Sequence, residues 1–189
     1  MKLRTHFMIA KIAAENSGFS FWERNIFCIG SLIPDLSPMQ FIHRHFYASS
    51  GEYVQKKLEH LSVRNSFYAL LTYGKMAHYV SDFCCSVHAD NKIGNVREHI
   101  IYERELNQYT VKNYDRLKKE CAVFGRSQEL TSVLKGYFNS KRYDFDTDLT
   151  FAVRASMGVC VKAYCPRKTH TPAADTGISY GRNNSVTQP

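Results

Sequence analysis

Residues 65–86, NSFYALLTYGKMAHYVSDFCCS, are apolar and spaced for a helix, and a histidine and an aspartate sit on the stripe such a helix must bury. His78 and Asp82 stand four residues apart, one turn on a single face. That face continues through Leu71, Gly74 and Ser81. An imidazole and a carboxylate are costly to bury unless each is paired. The segment therefore requires a fold in which neighbouring elements bring a compensating group to this face. That group is either a hydrogen-bonding side chain or a metal ion held between the helices of a bundle.

The rest of the chain reads the same way. Pro and Gly are few, 5 and 10 in 189 residues, and no stretch keeps the two-residue alternation of a half-buried strand. We expect an all-α fold, a single multi-helix bundle. Its helices are expected at about 3–15, 21–32 (stopped by Pro34), 52–61, 65–86, 96–123, 127–138 and 147–164. Residues 35–50, with Pro38 and the Ser49-Ser50-Gly51 cluster, are expected as loop or broken helix. One domain over 1–165 is followed by a stretch, 166–189, of Thr, Asn, Ser, Gly and Pro, expected to be a flexible tail.

Composition narrows the function classes. With 44% hydrophobic and 22% charged residues the chain buries a core, which excludes disorder throughout. No apolar run approaches the ~20 residues of a membrane-spanning helix. Lys11 interrupts the short apolar stretch near the start, so no secretory signal is read and a cytoplasmic address is expected. The six cysteines, at 28, 84, 85, 121, 160 and 165, form no CxxC pair and are expected to be reduced. A net charge of +8 favours anionic partners: nucleic acid, phospholipid headgroups or phosphate esters. Charge alone does not choose among them.

The histidines do more. His99 and Glu103 repeat the i,i+4 device with the other carboxylate, and His88 lies between the two pairs. One such pair arises often as a solvated contact. Two close together, of imidazole nitrogen and carboxylate oxygen, suit Zn²⁺ and other divalent metals.

His78-Tyr79-Val80-Ser81-Asp82, followed by His88-Ala89, resembles the HYxxDxxxxxHA segment of the zinc-dependent phospholipases C, an all-helical family with a trinuclear zinc site. His99-Ile100-Ile101-Tyr102-Glu103 is similar to that family's HxxYE pair, and His45-Phe46-Tyr47 to its HFY motif. Asp35 precedes the latter at a suitable distance, His6 stands where an early-helix histidine falls, and 150–164 looks like the closing helix. The resemblance implies two or three zinc ions. One is held by His45, His78 and Asp82, and a second by His88, His99 and Glu103. A third rests on His6 with Asp82 bridging. Asp35 acts there as a ligand or as the general base. Family members complete the third position with the amino group of an amino-terminal Trp, whereas the sole Trp here is Trp22. That position is absent, weakly held, or served by Met1 in another way. His43 competes with His45 but lacks the following Phe-Tyr, and His60 and His170 match nothing and are read as surface residues. Cys84 and Cys85 are read as small buried hydrophobes rather than extra ligands.

The resemblance further implies hydrolysis of a phospholipid between glycerol and phosphate by zinc-activated water, with peripheral membrane contact. Phe46, Tyr47 and Tyr53 are expected near the site, facing lipid or headgroup. Two other readings stay open: a single-strand-specific zinc nuclease, for which no basic and aromatic interleaving is seen, and a non-catalytic metal-stabilised module that binds lipid or protein.

Overall fold

A computed structural model describes residues 1–37, 46–61, 66–89, 96–124 and 129–164, and every regular element among them is helical. These are α1 (Leu3–Asn16), α2 (Phe21–Leu36), α3 (Tyr47–His60), α4 (Phe67–Phe83), α5 (Ser86–Ala89), α6 (Val96–Lys112), α7 (Tyr114–Ala122), α8 (Leu130–Ser140) and α9 (Phe145–Tyr164). The fold is all-α. No helix among these residues is long and apolar enough to cross a membrane. His43, His45, Cys165, His170 and the expected tail lie outside the described residues.

Helix α4 is the axis of the bundle. Twelve of its residues are buried, from Ala69 to Phe83, and α1, α2, α3 and α9 pack around it. Helix α2 approaches it most closely. Gly30 and Gly74 face one another, and a Cβ added to Gly74 would overlap the Phe27 carbonyl oxygen and come within 2.8 Å of the Gly30 Cα. Only hydrogen fits between the two backbones. The two helices run side by side in the same direction, Phe27 meeting Gly74 and Ser31 meeting His78. Their C-terminal ends therefore arrive together, and the charged side chains sit there.

Three boundaries depart from the sequence expectation. Helix α2 does not stop at Pro34 but runs on to Leu36. Pro34 lacks the N–H that would bond the Gly30 carbonyl, but a proline in the last turn forfeits little else. One residue on, the Ser31 carbonyl accepts a hydrogen bond from His78. Helix α3 begins at Tyr47, with Ser49-Ser50-Gly51 inside it. The Ser49 hydroxyl bonds the Phe46 carbonyl, Ser50 is fully buried, and the Tyr47 ring covers Gly51. The expected helix 96–123 is two, α6 and α7. Asn113 leaves the helical region at φ −107°, ψ 12°, and its side-chain amide bonds the Tyr109 carbonyl, the competition by which Asn breaks helices. Among the described residues Cys28, Cys84, Cys85, Cys121 and Cys160 are buried free thiols.

Candidate metal centre

Five helices and Met1 deliver the polar groups. His6 comes from α1, Asp35 from the end of α2, and His78 and Asp82 from α4. His88 lies on α5, and His99 and Glu103 lie on α6. His6, His78 and Asp82, all buried, form one group of potential ligand atoms lying within 4.8 Å of one another, and His88, His99 and Glu103 form a second. In the first, His78 Nε2 is 3.4 Å from Asp82 Oδ2 and 3.6 Å from Asp35 Oδ1. His6 Nε2 is 3.4 Å from Asp82 Oδ1 and 4.0 Å from Asp35 Oδ2. The rings of His6 and His78 stack with centroids 3.8 Å apart. In the second, His99 Nε2 is 3.0 Å and His88 Nε2 3.4 Å from Glu103 Oε1.

The outer hydrogen bonds indicate where the lone pairs point. His78 Nδ1 lies 2.9 Å from the Ser31 carbonyl, which can only accept, so Nδ1 carries the hydrogen. Ser81 donates its hydroxyl to the His78 carbonyl and thus accepts from His6 Nδ1 at 3.0 Å. Each neutral ring is left with its Nε2 lone pair aimed at carboxylate oxygens. A cation between them, a proton or a metal ion, reconciles that arrangement. A backbone carbonyl or hydroxyl behind the distal nitrogen is also the usual support of a metal-bound imidazole. The donor set fits zinc.

Asp82 joins the two groups. Besides His6 and His78 it lies 3.4 Å from His88 Nδ1 and accepts a hydrogen bond of 2.7 Å from the buried Met1 amino group, which is 3.1 Å from Glu103 as well. Burial by itself disfavours the ammonium, but the Asp82 and Glu103 carboxylates outweigh it and push the group up to about 11. Glu103 shows the complementary balance. Burial raises its carboxyl, yet hydrogen bonds from His88, His99 and the Met1 amino group hold it far below the usual carboxylate range. Nothing in the local pattern announces the placement of Met1; it follows from the way α1 packs.

A second carboxylate escapes a reading of the sequence by histidine spacing. Asp148 on α9 is fully buried and accepts four hydrogen bonds of 2.7–2.8 Å, from the Ser86 amide and hydroxyl and from the Tyr102 and Tyr137 hydroxyls. Burial, and then the Asp148 charge, push both tyrosines up, which keeps them protonated donors. This network anchors the residue that starts α5, ahead of His88, and the residue that precedes Glu103. The signal was present: Asp148 shares a stripe with Ala152, Ala155 and Val159, an acid on a core face just as Asp82 is. Asp148→Ala leaves those donors buried and unsatisfied and is expected to cost about 3–5 kcal/mol in chemical denaturation.

A cleft of about 770 Å³ opens onto the second group, lined by Met1, Asp35, His88, His99 and Glu103 among others. Of the three aromatics expected there, Phe46 lines the cleft, its edge against His88. Tyr47 packs instead on Phe83 and Phe138, and Tyr53 on Tyr79, so neither lines it. Cys84 and Cys85 are fully buried, and desolvation raises both thiols well above their ordinary value, which suits packing rather than ligation. His60 is exposed.

No curated protein and no solved structure matches the chain. Residues 5–148 match the family model described as zinc dependent phospholipase C. That span takes in both groups together with Asp35 and Asp148, and the chain belongs to this family.

Proposed function

We propose that the protein is a phosphodiester hydrolase that holds two or three zinc ions and cleaves a phospholipid between glycerol and phosphate. The observation that carries this reading is the continuous set of nitrogen and carboxylate donors, joined through Asp82, whose outer members Asp35, His88, His99 and Glu103 line an open cleft. Zinc bound by such donors lowers the pKa of water to about 7 and neutralises charge on a phosphoryl group. His78, Asp82 and His6 hold one part of the site, and His88, His99 and Glu103 the other. His45 is proposed to join His78 and Asp82 there. Asp35, beside His6 and His78 of the first group, lines the cleft. In this reading it orients an incoming water and accepts its proton. The Met1 amino group, between Asp82 and Glu103, would supply a nitrogen to a third ion on losing its proton.

Metal analysis of the purified protein is expected to find two or three zinc ions per chain. Diacylglycerol is expected to be released from mixed phospholipid vesicles, to stop with a chelator and to return with zinc, while a single-stranded oligonucleotide survives. Rapid cleavage of the oligonucleotide instead makes the protein a nuclease. Bound zinc with neither activity makes it a metal-stabilised module, and absence of zinc removes the reading altogether.

The ammonium also sets a pH dependence. Any metal that binds Asp82 and Glu103 competes with a proton held on Met1, whose raised value keeps it charged through the neutral range. Zinc affinity is expected to fall as pH is lowered, by up to about tenfold per unit for each proton displaced. Zinc titration at pH 6 and pH 8 measures this, with proton release into a weak buffer as the second signal.

A further inference from the structure

We propose that the cleft selects phosphodiesters whose headgroup carries no cation, such as a phosphoglycerol or phosphoinositol headgroup, over choline. This rests on the phospholipase reading above and names its substrate class. Among the described residues the cationic side chains lining the cleft are Lys2, Arg4 and Arg104. Lys2 is tied to Glu103 at 3.7 Å. Among the described residues Arg4 and Arg104 have no acidic partner, and both are exposed at the rim. Among the described lining residues the acids are Asp35 and Glu103; Glu103 belongs to the second donor group and Asp35 lies 3.6 Å from His78 and 4.0 Å from His6 of the first, so a bound metal would offset their charge. A headgroup entering past this rim meets unbalanced positive charge.

A trimethylammonium group needs the opposite environment. It is held by aromatic faces and by carboxylates free to pair with it. Among the described lining residues Phe46 is the one aromatic side chain, and its ring is already engaged with His88. Asn107 supplies what a hydroxylated headgroup can use. Its Oδ1 accepts from the Thr5 hydroxyl at 3.3 Å, which fixes the amide and leaves its N–H groups as donors beside Arg104.

The test uses the full-length, zinc-loaded protein and monomeric short-chain lipids, dihexanoyl phosphatidylglycerol and dihexanoyl phosphatidylcholine, so that vesicle surface charge plays no part. The expected kcat/KM is at least about tenfold higher for the glycerol headgroup. In the double variant Arg4→Glu/Arg104→Glu the ratio falls to about one or inverts, with choline-lipid hydrolysis retained and circular dichroism unchanged. Equal or better hydrolysis of the choline lipid by the parent, or a ratio that the charge reversal leaves intact, overturns the proposal while the hydrolase reading stands. If neither lipid is cleaved the hydrolase reading has failed. Calorimetry with glycerophosphoglycerol and glycerophosphocholine then decides selectivity: tighter binding of the former, lost in the double variant, supports it, and equal binding overturns it. Preferential cleavage of a single-stranded oligonucleotide added to the same assay also overturns it, assigning the positive rim to nucleic acid.

Discussion

Asp82→Asn is expected to strip metal from both donor groups while leaving the bundle folded. The substitution preserves volume and one oxygen acceptor, so the packing of α4 on α2 and α9 is undisturbed. What it removes is the negative charge that faces His6, His78, His88 and the Met1 ammonium together. A side chain that belongs to one group alone disturbs one ion. Asp82 touches both. Loss of an outer hydrogen-bond partner lowers metal affinity or activity about 10–100-fold, and a shared direct donor is expected to exceed that range. Metal analysis should show zinc falling towards zero, diacylglycerol release should fall more than about 100-fold, and helical circular dichroism should be retained. Full zinc content in this variant would remove Asp82 from its bridging position.

The second large effect comes from the fold. Gly74→Ala places a methyl group against the Phe27 carbonyl and the Gly30 backbone. All of these contacts are backbone, so no flexible side chain can swing aside. Alanine is the better helix former by about 1 kcal/mol, which pulls the other way. Overpacking costs typically 1–3 kcal/mol and more when the obstacle is rigid. The steric term is therefore expected to win, with a net loss of about 2–3 kcal/mol and a melting temperature lowered by roughly 4–12 °C. Activity should fall with it, because separating α2 from α4 draws Asp35 and the Ser31 carbonyl away from His78. Thermal denaturation of the metal-free protein isolates the packing term. A melting temperature within about 2 °C of the parent would show that the helices tolerate a wider spacing here.

The two variants probe what was open to a reading of the sequence and what was not. An i,i+4 pair is a local object: once residues 67–83 are helical, His78 and Asp82 share a face whatever else the chain does. The same holds for His99 and Glu103 on α6. Asp148 obeys that rule too, but no histidine accompanies it, so histidine spacing does not mark it. Boundaries were harder to read. Pro34 and the Ser49-Ser50-Gly51 cluster look like stops, yet α2 and α3 continue through them, while Asn113, an ordinary polar residue by sequence, breaks a helix. In each case the outcome depends on which carbonyl or ring lies within reach, a three-dimensional fact.

The sequence by itself determined the helical class, the pairing of imidazole with carboxylate on two separate helices, and the requirement that something cationic compensate them in the interior. Periodicity and desolvation act within a few residues of the chain, so they are readable there. The tertiary structure alone decided that Asp82 lies against both groups, that the Met1 amino group lies between two carboxylates, that Asp148 ties α5, α6 and α8 together, and that among the described residues two arginines and a single phenylalanine border the cleft. Those outcomes depend on the distance and register between helices, set here by two glycines packed backbone to backbone, and helix–helix register leaves no periodic trace in the chain.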